Sequence, residues 1–420
     1  MKFQDMTKTQ MAELKKNLLS QYQAFKAKGL KLDMSRGKPG AKQLDLSLSL
    51  LHFENIENDY MKGPDYRNYG LLEGIDEFRN LYAEILGYDP SDILVFGNSS
   101  LNVMYDYISQ CVTHGSGGEP WLLQKDVKFI CPVPGYDRHF AILEHFGIKM
   151  LNVPMKNDGP DMDLIEEHVK DPSVKGIFCV PQYSNPDGIT YNADVVERLS
   201  RLKPAADDFR IIWDNAYNVH HLGEEQDSLP SILQECSKHG NQDLPIEILS
   251  TSKITFPGAG VALLAASKNN IEAIKKRMSI QTIGHDKLNQ LRHANFIGDA
   301  RGLKEHMKKH AEILAPKFEL VLGILDEELS EFGIAQWNEP RGGYFISLNT
   351  MEGCAKRTVQ LCKEAGATLT PAGATFPYGK DPKDSNIRLA PTFPPLEELG
   401  KAMELFCICV KLAALEKLMA

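Results

Sequence analysis

The sequence predicts an α/β fold: a mostly parallel sheet covered on both faces, joined to a smaller α+β domain. Three observations carry that expectation. Seven short β-rich runs fall between residues 92 and 266, most followed by helical stretches. Several of these runs are continuously apolar, as strands buried on both faces must be. Beyond about residue 300 the alternation gives way to one long helical stretch and then a mixed region.

Taken in order, residues 8–28 read as an amphipathic helix. Met11, Leu14, Leu18, Tyr22 and Phe25 recur at steps of three and four, and Gly29 is a natural stop. The β-rich runs are DILVFG (92–97), VKFICPV (127–133), IKMLNVP (148–154), VKGIFCVP (174–181), FRIIWD (209–214), PIEILS (245–250) and GVALLAA (260–266). The first is followed by a helix with Leu101, Met104, Tyr105 and Ile108 on one face. Residues 114–120, HGSGGEP, are a loop by composition. A long helix starts near residue 300, and a last one follows Pro395. These elements divide the chain into a large domain at 60–295 and a smaller one combining 1–59 with 296–420.

Composition removes several function classes. Lys plus Arg is 47 and Asp plus Glu is 56, a net charge of −9, which disfavours broad binding to a nucleic-acid backbone. The longest strongly apolar run, 261–266, is too short to cross a bilayer. The first residues, MKFQDMTKTQ, lack the apolar stretch of a signal peptide. Eight cysteines without a CxxC pair read as reduced core thiols of a cytoplasmic protein. There is no GxGxxG after a strand, no GxxxxGK[ST] loop, no HExxH and no Cys/His cluster, so neither a nucleotide site nor a metal site is expected.

Ligands of open α/β sheets bind beyond the carboxyl ends of the strands. Five of the strand ends carry chemistry: Asn98-Ser99-Ser100, then PGYDRH (134–139), QYSNPDG (182–188), WDNAY (213–217) and STSK (250–253). A lone lysine in such a place is usually a solvated charge, and a lone aspartate a helix cap. Their joint occurrence suits pyridoxal phosphate. A lysine forms a Schiff base with its aldehyde, an anion keeps its ring nitrogen protonated, small donors hold its phosphate and an aromatic covers its ring.

With these residues the sequence resembles the class I aminotransferases of the fold-type I pyridoxal-phosphate enzymes, and within them a divergent bacterial subgroup of aspartate aminotransferases. The motifs SRGKPG (35–40), NYGLLEG (68–74), GNSS, PGYDRH, SNPDG, WDNAY, STSK, RGGYF (341–345) and NIRLAP (386–391) come in that family's order. The resemblance implies that fold, with a large domain built on a mostly parallel seven-stranded sheet. It implies pyridoxal 5'-phosphate as cofactor, and ping-pong transfer between L-aspartate and 2-oxoglutarate. It also implies a homodimer with shared active sites.

Residue by residue, Lys253 resembles the Schiff-base lysine and proton shuttle, and Asp214 the partner of the ring nitrogen. Tyr217 and Asn185 resemble the groups that bond the ring oxygen; Asn185 also reads as part of an ordinary turn. Tyr136 resembles the aromatic stacked on the ring, and His139 the histidine supporting the aspartate. Asn98, Ser99 and Ser250 would form the phosphate cup. Tyr69 resembles the tyrosine that reaches the neighbouring subunit's phosphate, and is otherwise a loop aromatic. Arg388 resembles the arginine gripping the substrate α-carboxylate, with the Gly37 backbone beside it. Arg36 is the candidate for the distal carboxylate. One departure stands out: the phosphate-binding arginine of the family, eight residues after the lysine, is Val261 here, leaving Arg36, Lys38 and Arg138 as unassigned bases. A change of reaction to β-elimination or decarboxylation stays open. A regulator-like ligand-binding domain is disfavoured, because a single helix precedes residue 35.

Overall fold

A computed structural model of the chain describes residues 2–52, 59–61 and 63–420. The expected domain boundary at 59–60 adjoins residues 53–58, which lie outside the described residues. The strands in chain order are β1 (Leu32–Met34), β2 (Ile93–Val95), β3 (Lys128–Val133), β4 (Lys149–Lys156), β5 (Gly159–Pro160), β6 (Val174–Cys179) and β7 (Arg210–Asp214). They continue with β8 (Pro245–Ser250), β9 (Ala262–Ala266), β10 (Ala335–Trp337), β11 (Ile346–Thr350), β12 (Ala367–Leu369) and β13 (Asn386–Leu389).

The main sheet has eight strands in the order β2-β9-β8-β7-β6-β3-β4-β5. All seven expected runs are in it; the addition is the two-residue β5, folded back antiparallel on β4. β4, β3, β6, β7 and β8 are mutually parallel. β9 is antiparallel to both β8 and β2, so β2 runs with the parallel set. The carboxyl ends of β2, β3, β6, β7 and β8 therefore share one edge of the sheet. β6, β7, β8 and β9 are buried at every residue, which is why their sequences read as largely apolar runs. The exception inside β6, Lys175, is paired at 2.7 Å with buried Asp208, whose other oxygen accepts from the Trp121 indole.

Helices begin where the sequence supplies a cap. Thr7 opens the helix Lys8–Ala27 in a capping box with Gln10, and that helix buries Met11, Leu18, Tyr22 and Phe25. In the helix Ser100–His114, Met104 and Ile108 face the core as expected. Tyr105 does not: it is 42% exposed, and Tyr107 takes the buried position. The shift is about 100° per residue of helical rotation, enough to exchange neighbours between faces.

Separate apolar cores form on the two sides of the molecule. One packs around the main sheet. Another joins the N-terminal helix, β1, β11, β13 and the C-terminal helix Leu396–Leu418. The helix Ala300–Leu329 spans both: Leu303 and Met307 belong to the first, and Phe318, Val321, Leu325 and Leu329 to the second, with Pro316 between them. All eight cysteines are buried and unpaired. Among the described residues no helix is long and apolar enough to cross a membrane.

Leu325 is completely buried in the second core. Leu325→Ala is expected to lower the unfolding free energy by about 2–5 kcal/mol. Leu122→Ala, at a side chain 73% exposed, provides the contrast. It is expected to stay within about 0.5 kcal/mol of the parent. Urea unfolding followed by circular dichroism measures both.

Candidate active site

Asp214 ends β7 and is 3% exposed. It caps no helix. Its Oδ2 accepts from His139 Nε2 at 3.0 Å, and its Oδ1 is buried with no partner among the described residues. His139 lies in the first turn of the helix Asp137–His145 and stacks on Phe178 of β6, with ring centroids 4.2 Å apart and planes 12° from parallel. Tyr136 meets the same imidazole edge-on at 5.0 Å. The sheet thus fixes the histidine, and the histidine fixes one carboxylate oxygen.

Lys253 follows β8 in a tight turn. The Ile254 and Thr255 amides both donate to the Thr251 carbonyl at 2.9 Å. The Lys253 carbonyl lies 3.5 Å from the Tyr344 hydroxyl and 3.4 Å from His220 Nε2, and the Ile254 carbonyl lies 2.8 Å from His306 Nε2. The backbone under Lys253 is held from several sides, while its Nζ stands 4.8 Å from the centre of the Tyr217 ring. Burial pushes the Lys253 ammonium below its ordinary value, and the charge of Asp214 partly opposes that. Tyr217 is pushed the other way: burial raises its phenol well above the ordinary range, and Tyr136 and Asp214 add to the effect. It therefore keeps its proton and can donate it in a hydrogen bond.

These groups open onto a cavity of about 740 Å³ lined by Gly37, Tyr136, Asn185, Tyr217, Lys253 and Arg388. Arg36, Lys38, Arg138 and Lys363 line it as well, so its walls are strongly cationic. Arg388 projects from β13 and is 6% exposed. Its Nη1 donates to Asp137 Oδ1 at 2.9 Å and to Asn185 Oδ1 at 3.1 Å, and its Nη2 to Thr370 Oγ1 at 3.4 Å. The guanidinium lies over the Phe345 ring at 4.8 Å. Gly37 packs so tightly on that ring that a Cβ would come within 2.4 Å of it. A larger cavity of about 820 Å³ lies between residues 219–226 and the helix Ala300–Leu329, but it contains none of these groups.

The remaining expected residues divide into two sets. Ser250 Oγ donates to Ser252 Oγ at 3.1 Å, and Ser252 Oγ donates to the Asn98 carbonyl at 3.1 Å. These segments meet beside the first turn of the helix Ser100–His114, where Ser99 is the cap residue and makes no side-chain cap bond. Val261 turns its side chain into the apolar core with Leu249, Ile254 and Leu263, so no charge enters the serine cluster from that position. The unassigned bases Arg36, Lys38 and Arg138 lie instead on the cavity shared with Arg388. Tyr69 is 82% exposed and does not line this cavity. Sequence reasoning gave no role to Asp137, Ser252, Phe345, Thr370, Tyr344 or His306. Asp137, Ser252, Tyr344 and Phe345 lay inside motifs already singled out. Tyr344 and His306 act on the backbone carbonyls of Lys253 and Ile254, roles that no side-chain pattern in a sequence announces.

A family model described as aspartate amino-transferase matches residues 6–420. A protein of Mycolicibacterium smegmatis named a "putative aminotransferase" is 48% identical over 404 residues, which is 95% of this chain and 94% of its own. An aspartate aminotransferase of Corynebacterium glutamicum is 46% identical over 417 residues, 98% of this chain and 96% of its own. The crystal structure of an aspartate transaminase from Corynebacterium glutamicum superposes with a TM-score of 0.94 at 45% identity, covering 99% of each chain.

The opposed effects on Lys253 give a test that needs no ligand. Removing the Asp214 charge takes away the interaction that raises the Lys253 value, so in Asp214→Asn the ammonium should titrate lower still. The pH dependence of Lys253 labelling by an amine-selective reagent, read by peptide mass spectrometry on the ligand-free protein, measures it. An unchanged or raised midpoint in Asp214→Asn would contradict the coupling.

Proposed function

The chain belongs to the aspartate amino-transferase family and is an aminotransferase; from that premise we propose that it exchanges the amino group of L-aspartate with 2-oxoglutarate in a ping-pong cycle, with pyridoxal 5'-phosphate as cofactor. One observation carries this reading. A lysine of lowered proton affinity, which feels the charge of a buried carboxylate with one unpartnered oxygen, shares a cavity with a buried arginine.

The residues fit the cofactor. A buried acceptor without a donor is rare in a folded protein, and a protonated ring nitrogen is the donor that Asp214 Oδ1 lacks. When bound, the cofactor supplies an aldehyde for the amino group and a ring that takes up the electrons released at the substrate α-carbon. Asp214, oriented by His139, would hold that ring nitrogen in its protonated form. Tyr217 and Asn185 would donate to the ring oxygen, and Tyr136 would cover the ring face. Asn98, Ser99 and Ser250 would hold the phosphate. Tyr69, exposed on the surface, would reach the phosphate of a second copy, which makes a homodimer the working unit.

Lys253 Nζ would anchor the cofactor through its aldehyde carbon, and as general base and acid would take up and give back the proton of the amino acid's α-carbon. A depressed proton affinity suits an amine for that work near neutral pH. Arg388 would grip the α-carboxylate, with the Gly37 backbone beside it, and Arg36 would read the distal carboxylate. The same reading divides the chain into a large domain at 60–295 and a smaller one of 1–59 with 296–420. Gly37, Phe345 and Arg388 would then reach the cavity from the small domain, and Lys253, Tyr217 and Asn185 from the large one.

A panel of amino donors with 2-oxoglutarate, followed through the visible absorbance of the bound cofactor, tests the assignment. Lys253→Ala should lose both that absorbance and turnover; normal turnover in this variant would end the proposal. Asp214→Asn should fold yet turn over orders of magnitude more slowly, because the ring nitrogen loses its anion.

Two arginine variants separate the carboxylates. Arg388→Ala should penalise aspartate and alanine by similar factors, of roughly one to two decades for a charge-assisted pair. Arg36→Ala should penalise only aspartate and glutamate. If Arg36→Ala affects alanine equally, Arg36 does not read the side chain.

A further inference from the structure

The pairing of Arg388 has a consequence for every substrate that binds there. Nη1 has two N–H groups, and both are taken: Asp137 Oδ1 accepts one at 2.9 Å and Asn185 Oδ1 the other at 3.1 Å. Nε is shut away from solvent without a partner among the described residues. A carboxylate arriving from the cavity can therefore engage the guanidinium bidentately only through the Nη1–Nη2 edge. Nη2 offers protons, since its contact with Thr370 is long at 3.4 Å. Nη1 does not.

One of the two acceptors on Nη1 has to yield, and they differ in freedom. Asn185 is 4% exposed and sits in a loop closed by backbone bonds from Ser184 to Ile189 and from Gly188 to Ser184. The Asp137 side chain is 33% exposed, against 7% for the Arg388 side chain it pairs with. It begins the helix Asp137–His145 and lines the cavity itself. We propose that Asp137 is a tethered competitor for the substrate α-carboxylate: it neutralises Arg388 between turnovers and is exchanged for the incoming carboxylate.

The proposal rests on Arg388 being the α-carboxylate site. Its chemistry is one carboxylate replacing another on the same guanidinium, with no covalent change. A buried guanidinium left without an anion is costly, and Asp137 removes that cost. The consequence is that substrate binds by exchange rather than by simple addition, and that product leaves as Asp137 returns. If Asp137 stayed in place, two carboxylates would share one cation, and the repulsion would weaken binding in the same direction. Asp137 also has an ordinary structural use, as an acid in the first turn of a helix. Losing that contribution lowers stability but does not tighten ligand binding, so the two roles give opposite results.

The test is calorimetric titration of succinate, a dicarboxylate with no amino group to transfer, into the cofactor-loaded enzyme. The variants are Asp137→Asn, Asp137→Ala, Arg388→Gln and the double variant Asp137→Asn/Arg388→Gln, each checked for folding by thermal melt. Removing the Asp137 charge should lower the succinate Kd roughly three- to tenfold, the scale of a partly exposed charge contact. Stopped-flow displacement should show slower succinate release. The gain should disappear in the Arg388→Gln background. Unchanged or weaker succinate binding in both Asp137 variants, with Arg388→Gln impaired, overturns the competitor role and leaves the arginine assignment standing. Normal succinate binding by Arg388→Gln overturns the assignment of Arg388, and the competitor role with it.

Discussion

The site depends on a buried carboxylate whose two oxygens are treated differently. Asp214 sits at the end of an interior strand, with Oδ2 bonded to His139 and Oδ1 left without a partner among the described residues. Removing a carboxylate from water costs on the order of several kcal/mol unless each lone pair finds a donor. A fold that keeps one oxygen satisfied and leaves the other buried without a donor has set aside room for a cationic donor. The surroundings serve that arrangement. β6 supplies Phe178, on which the imidazole lies flat, and β7 supplies the carboxylate. The sheet register puts Cys179, one residue past that phenylalanine, beside Trp213, one residue before the aspartate.

Lys253 answers the same carboxylate from the next strand. Its proton affinity is a balance between burial, which lowers it, and Asp214, which raises it. Such a balance holds only if the distance between the two groups is fixed. Tyr344 and His306 approach the carbonyls at 253 and 254 from the region beyond residue 300. Gln43 then ties Tyr344 and His310 to the N-terminal segment, donating at 3.0 Å to the tyrosine hydroxyl. The lysine turn is therefore referenced to the parts of the chain that carry Gly37 and Arg388. The helix Ala300–Leu329, anchored in both cores, makes that reference rigid.

The legible part of this structure was the part written in periodicity. Strands buried on both faces read as largely apolar runs, and all seven ended within two residues of the expected position. β5 was not legible, because two residues carry no period. Tyr105 and Tyr107 could not be sorted by pattern, since both are large and amphipathic and only the packing of the helix decides which is buried. Lys253, Tyr217, Asn185 and Arg388 came from ordered motifs and line one cavity, and Asp214 lies close enough for its charge to act on Lys253. Asp137 was visible in PGYDRH but had no reason to be chosen. Its partner is 251 residues away, and nothing local announces an ion pair of that separation. Val261 shows the converse: its departure was plain in the sequence, but only the fold shows its side chain turned into the apolar core.

The central claim is that Lys253 is the residue that anchors pyridoxal phosphate beside Asp214. Borohydride reduction of the cofactor-loaded protein, followed by proteolysis and mass spectrometry, tests it directly. The account predicts one reduced pyridoxyl adduct per chain, carried by the peptide that contains Lys253. An adduct confined to another lysine, or no adduct in a protein that turns over normally, would contradict it.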